Sequence, residues 1–102
     1  MIDSDFIANR IAMLRTAKNV SARDMSLSLG QSQSYINNIE NKKALPSMQM
    51  FLYICEFLDV EPKDFFDEEI TDPKAYNEII GVLKRLNKDQ ISLLLSLADE
   101  MR

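Results

Sequence analysis

The chain has 102 residues, 12 basic and 16 acidic, for a net charge of −4, and 46% of its residues are apolar. That length holds one domain, or one domain with an appendage, and the acidic balance argues against indiscriminate nucleic-acid binding. A single cysteine, Cys55, and no histidine leave no intrachain disulfide, no cysteine-based zinc site and neither the commonest general base nor the commonest metal ligand.

Reducing cytoplasm is the natural compartment for such a chain. No apolar run approaches the roughly 20 residues of a membrane span, and no basic-then-apolar leader opens the sequence, so export is not expected. Two glycines and three prolines among many strong helix formers point to an all-α fold.

In chain order, residues 5–18 read as a first amphipathic helix. Ile7, Ile11 and Leu14 share one face, and Arg10, Arg15 and Lys18 fall largely outside it. Ser21 opens a second helix, with Asp24 three residues on as a short capping box and Val20 and Met25 spaced as a hydrophobic staple. Gly30 stops it. Ser32 is the expected cap of a third helix with its apolar back at Ile36 and Ile39, ending near Asn41. Leu45-Pro46-Ser47 is a loop ending in another cap. A fourth helix runs to about Leu58, with Met48, Phe51, Leu52, Cys55 and Leu58 expected inward. After a turn at residues 59–62, Pro62 starts a short fifth helix through Phe65 and Phe66.

The acidic run Asp67-Glu68-Glu69 marks the expected boundary between an N-terminal domain, 1–67, and a C-terminal helical hairpin, 68–102. The hairpin's first helix spans about Pro73–Leu86, with Ile79, Leu83 and Leu86 on one face. Gly81 inside it costs about 1 kcal/mol relative to Ala and would let a neighbouring helix come close. Asn87 and Gln90 form a capping box for the last helix. That helix has a very broad apolar arc: Ile91, Leu94, Leu95, Leu97, Ala98 and Met101, widened by Leu93. Two arrangements suit it: packing on its own core and also on a second copy, giving a two-fold dimer, or burial within one chain, between the hairpin's first helix and the N-terminal domain.

Charge is unevenly placed. From Arg10 to Lys43 there are six basic and two acidic residues, whereas Asp67–Arg102 carries five basic and eight acidic. A positive face on an acidic protein can still bind phosphate.

The five helices of residues 5–66 resemble the lambda-repressor/Cro-like helix-turn-helix family. Its pattern stands here as Val20-Ser21-Ala22-Arg23-Asp24-Met25-Ser26, Leu29-Gly30-Gln31-Ser32 and Ile36-Asn37-Asn38-Ile39-Glu40-Asn41. Pro46-Ser47, Leu52 and Phe65-Phe66 complete it. The resemblance implies a five-helix domain that sets its third helix in the DNA major groove, usually as a dimer on a palindromic operator, and mostly as a repressor. Three positions depart from the pattern. Ala22 replaces a glutamine that contacts phosphate. Ser26 replaces a small alanine and still fits the tight crossing. Lys42 replaces a glycine, so Asn41 is expected to take the left-handed role at the helix end.

On that reading Gln33 and Ser34, in the first turn of the third helix, reach base edges, and Gln33 can pair with adenine in bidentate fashion. Asn37 projects from the same polar side. Tyr35 either touches a thymine methyl or a phosphate, or packs on the second helix. Asn38 and Asn41 serve as backbone contacts or caps, and Lys42 and Lys43 neutralise phosphate without reading sequence. Arg23, with Arg10 and Arg15, is a weaker phosphate candidate. The third helix holds no Arg or Lys, so the commonest guanine contact is missing and an A·T-rich operator is expected. Glu40 is expected to pair with a basic residue of the first helix such as Arg15, and Cys55 to pack in the core.

The sequence thus reads as a DNA-binding transcriptional regulator in the cytoplasm of a prokaryote or encoded by a phage, with no cofactor and no catalytic constellation. Its partners would be double-stranded operator DNA and a second copy. The competing readings are an antitoxin whose C-terminal surface covers a toxin, and a helical protein-interaction module without DNA binding.

Overall fold

A computed structural model describes all 102 residues as seven helices and no strands: α1 Ser4–Ala17, α2 Ala22–Ser28, α3 Tyr35–Glu40, α4 Met48–Phe57, α5 Pro62–Phe65, α6 Pro73–Leu83 and α7 Lys88–Glu100. The starts follow from short polar side chains that accept the unpaired N–H groups of a first turn. Asp3 accepts from Phe6 N at 3.0 Å, Ser21 from Asp24 N at 3.0 Å and Ser47 from Met50 N at 3.1 Å. Asp72 does the same for α6, and α7 has both halves of the Asn87–Gln90 box. Pro62 and Pro73 sit at the first helical positions, where a missing N–H costs nothing.

The ends are more uniform than the sequence indicates. Four helices stop at a residue in the left-handed region: Asn19 (φ 59°), Gly30 (73°), Lys42 (65°) and Asp59 (56°). At each, that residue and its successor donate back to two carbonyls of the last turn. At Lys42 the bonds are Lys42 N to Ile39 O and Lys43 N to Asn38 O, at 3.0 and 2.9 Å. Lys42 itself therefore takes the left-handed position expected of Asn41, whose φ is −90°. Satisfying two carbonyls offsets the roughly 1–2 kcal/mol that this backbone costs a residue with a Cβ.

α1–α5 enclose one core. Ile11 and Leu14 of α1, Met25 of α2, Ile36 and Ile39 of α3 and Phe65 of α5 are buried around Phe51, Ile54, Cys55 and Leu58 of α4. Phe51 and Phe65 meet edge to face at 5.0 Å, and Phe65 meets Phe66 at 5.2 Å. One face assignment for α4 needs correction: Met48 and Leu52 are 73% and 49% exposed, and Ile54 is fully buried in their place. Phe51, Ile54, Cys55 and Leu58 already complete a stripe at spacings of three, one and three, so Met48 and Leu52 fall on its outer flank.

Residues beyond α5 are tied to this core by Arg10. Its guanidinium is buried, donates to Ile70 O at 2.6 Å and Asp67 O at 2.8 Å, and lies over the Phe6 ring. Pro73 is buried, and Asn77 Nδ2 donates to Asp59 O at 3.3 Å, which lays α6 against the end of α4. α6 is shorter than expected. It stops at Leu83, Leu86 lies in the following turn, and Ile79 is 59% exposed. A Cβ on Gly81 would meet nothing within 4 Å, so no close helix approach depends on that glycine. α7 has no buried residue at all. Of the arc read from the sequence, Ile91 is half-buried and Leu94, Leu95, Leu97, Ala98 and Met101 are exposed. Burial against the N-terminal domain of the same chain is therefore not what α7 does in this structure. No helix is long and apolar enough to cross a membrane.

Candidate nucleic-acid interface

α2, the turn at Gly30 and α3 form the helix-turn-helix, and the angle between the two helices is set by a side chain. Ser26 is fully buried; its Oγ donates to Ala22 O at 2.7 Å and accepts from Ile36 N at 2.9 Å. Ile36 is the second residue of α3, so its N–H is one of those a helix start leaves unpaired. Ser32 and Ser34 were in position to cap it, yet no side-chain cap is formed by Ser34, which occupies the N-cap site. Ser32 contributes only its carbonyl, to Tyr35 N at 3.0 Å. The expectation that Ser32 caps α3 is thus corrected: the hydroxyl comes from α2. A serine where a small residue suffices for packing was the available signal, and its second function needed the three-dimensional crossing to be seen.

The other end of α3 is held by α1. Arg15 and Glu40 form a bidentate pair, Nε to Oε2 at 2.7 Å and Nη2 to Oε1 at 3.0 Å, and Arg15 Nη1 donates to Val20 O at 2.8 Å. Both side chains are largely covered. The Glu40 hydrogen bonds push the guanidinium pKa up against the opposing effect of burial. One cation therefore joins α1, the α1–α2 turn and α3. Lys42 adds a second link to α1, with Nζ 3.4 Å from Asp5 Oδ1 in an exposed pair. Arg10 and Arg15 are both consumed by internal bonds, which removes them as phosphate ligands. For Arg10, burial lowers the pKa, with Asp67 opposing that shift.

With its back fixed by Ile36 and Ile39, α3 turns its other side outward. α3 begins at Tyr35, so Gln33 and Ser34, expected in its first turn, lie instead in the turn before it and at its N-cap; both are exposed, as is Asn37 within the helix. Tyr35 is half-buried against the core, and burial raises its phenol pKa. Asn38 is half-buried. Asn41, Lys42 and Lys43 are exposed at the helix end, and Arg23 is exposed on α2. Arg23 and Lys43 take part in no internal ion pair, whereas Lys18 is paired with Asp59. The arrangement presents amides and a hydroxyl at one end of a short rigid helix and cations at the other. Cys55, the one thiol, is buried behind this surface; burial and then Glu61 push its pKa up to about 12, so it has no reactive character.

Comparison with curated proteins and with solved structures found no match. The sequence model of the helix-turn-helix domain matches residues 8–69, from the middle of α1 to just past α5. That stretch contains the Ser26 bridge and the Arg15–Glu40 pair that hold α3, and it is more than half of the sequence: the chain belongs to the helix-turn-helix domain family.

Proposed function

We propose that this protein is a sequence-specific DNA-binding transcriptional regulator that acts in the cytoplasm as a repressor, binding a palindromic operator as a dimer. The observation that carries the reading is the two-sidedness of α3: Ile36 and Ile39 are buried, Asn37 stands exposed on the other side, and Gln33 and Ser34 are exposed in the turn that leads into the helix. Gln33, Ser34 and Asn37 read base edges, with Tyr35 at the margin of that surface. Asn38, Asn41, Lys42, Lys43 and Arg23 hold the phosphates that fix the register. Without an Arg or Lys in α3, the preferred half-site is rich in A·T. Two copies, joined through the C-terminal helices, set their recognition helices about 34–36 Å apart, one turn of DNA, and repression follows from occlusion of a promoter.

Selection of sites from random DNA at a stated salt concentration tests this. The expected result is a two-fold symmetric, A·T-rich site that Gln33→Ala binds about 5- to 100-fold more weakly, with relaxed preference at one base pair. Lys42→Ala and Lys43→Ala together are expected to weaken all sequences alike and, with two lysines lost from each copy of the dimer, to lower the salt slope by about 4. G·C-rich half-sites, or no salt-sensitive binding, would overturn the proposal.

A further inference from the structure

The open side of the C-terminal hairpin carries a specific geometry. Leu94 lines a groove against Ile79, Val82 and Leu83 of α6, and Ala75 and Glu78 extend its wall. The groove is not filled: Ile79 is 59% exposed, and Leu93 and Leu95 on α7 are each 63% exposed. Eight large apolar side chains between residues 73 and 102 are 40–84% exposed. These side chains lie on several sides of the two helices and together expose on the order of 800 Å² per chain, as much as one partner gives a standard stable interface. A 13-residue helix is marginal alone in water and needs packing to persist.

We propose that this groove takes α7 of a second copy, running antiparallel to its own α7, so that two hairpins close into a two-fold four-helix assembly. The proposal rests on the dimeric reading above and adds the direction and register of the contact. Charge decides the direction. Lys84 and Arg85 lie in the turn before α7 and Lys88 and Asp89 open it, whereas Asp99 and Glu100 close it ahead of Arg102, so the start carries a net positive charge and the end a net negative one. At about 100° per residue, Lys88 and Asp99 lie only about 20° apart around the helix, on one flank of the apolar arc. In an antiparallel two-fold pair like flanks meet with their ends reversed, so Lys88 of each copy faces Asp99 of the other. A parallel pair would set the basic ends together and the acidic ends together. The midpoint of the Lys88–Asp99 pairing falls at Leu93 and Leu94, which puts the leucine run on the symmetry axis. In the single chain Asp99 is bridged by Arg102, an exposed pair that contributes little and is free to exchange.

The test uses the full chain in analytical ultracentrifugation with charge swaps. Lys88→Asp and Asp99→Lys each remove both intermolecular pairs and are expected to raise the dimer Kd about tenfold. The double variant, with the charges exchanged, is expected to return to within about twofold of the parent. Leu94→Cys in a Cys55→Ala background is expected to cross-link to itself on oxidation, and Lys88→Cys in the same background to do so only when mixed with Asp99→Cys. Failure of the double swap to recover, or self-cross-linking of Lys88→Cys, would overturn the antiparallel register. DNA binding is measured on the same proteins. A parent chain that stays monomeric while binding DNA overturns this dimer alone and gives the groove to another protein. A dimer with the stated cross-links but no salt-sensitive DNA binding supports this contact and overturns the function proposed for α3.

Discussion

α1–α5 and α6–α7 are built with the same local chemistry and reach opposite outcomes. In the first region each of the five helices contributes buried residues to one shared body, and Ile11, Met25, Ile36, Ile54 and Phe65 are fully covered. In the second, α7 has the most complete N-terminal cap in the chain and no buried residue. Capping and periodicity thus determine where a helix forms and which of its faces is apolar, and neither determines what covers that face. The face of α7 has no cover within this chain, and on the dimer proposed above a second copy supplies it.

The sharpest way to break this contrast is to truncate one large apolar side chain in each region. Phe65→Ala is expected to cost about 3–5 kcal/mol of unfolding free energy. Leu93→Ala, measured at concentrations low enough to keep the chain monomeric, is expected to change it by no more than about 0.5 kcal/mol. Equal losses in denaturant titrations would mean that α7 is buried within the monomer. Next in size is Glu40→Ala, which leaves the Arg15 guanidinium covered and unpaired. A loss of about 2–3 kcal/mol in the same assay is expected, against almost none for Asp59→Asn, which removes the exposed pair with Lys18 and still suits the left-handed backbone.

Cys55 sharpens the comparison by pH. Below about pH 8 the thiol is protonated in both the folded and unfolded chain. Above the ordinary value of about 8.5 the unfolded thiol ionises, while the buried one keeps its proton until about 12. The raised pKa of an acid in the folded state therefore makes stability fall through that window. Cys55→Ala is expected to flatten that part of the stability–pH curve, a difference no residue of α7 should produce. The smallest effect concerns Asp5. If phosphate must displace it from Lys42, Asp5→Asn is expected to tighten DNA binding two- to threefold, roughly the effect of an exposed pair, and to do nothing in a Lys42→Ala background. An equal gain in both backgrounds would show simple repulsion between Asp5 and DNA.

Much of the first region was legible in the sequence because its signals are local. Ser21, Gly30, Ser47 and Pro62 are each read within one turn of the chain, as is the Asn87–Gln90 box of the second region. The Arg15–Glu40 pair was legible through resemblance, since spacing alone could not choose among several basic residues. What escaped was set by tertiary context. Met48 and Leu52 have the right periodicity for a core face, but a four-residue stripe through Ile54 already filled the space. Ser32 has the right chemistry for a cap, but the hydroxyl of Ser26 lies closer to the N–H in need. Lys42 has the wrong chemistry for a left-handed residue, yet two backbone bonds hold it there. Arg10 reads as surface charge, and only the return of the chain at Asp67–Ile70 makes it an internal strut.

The Ser26 bridge has a thermodynamic consequence. Because its hydroxyl fixes α3 on α2 within the free chain, the recognition surface meets DNA already ordered, and little conformational entropy remains to be lost there. The heat-capacity change of DNA binding should accordingly be modest, as befits polar groups meeting polar groups. Closure of the C-terminal groove buries leucine and isoleucine, and its heat-capacity change should be large and negative. Calorimetry over a range of temperatures would therefore separate the two associations proposed above by the curvature of their free energies.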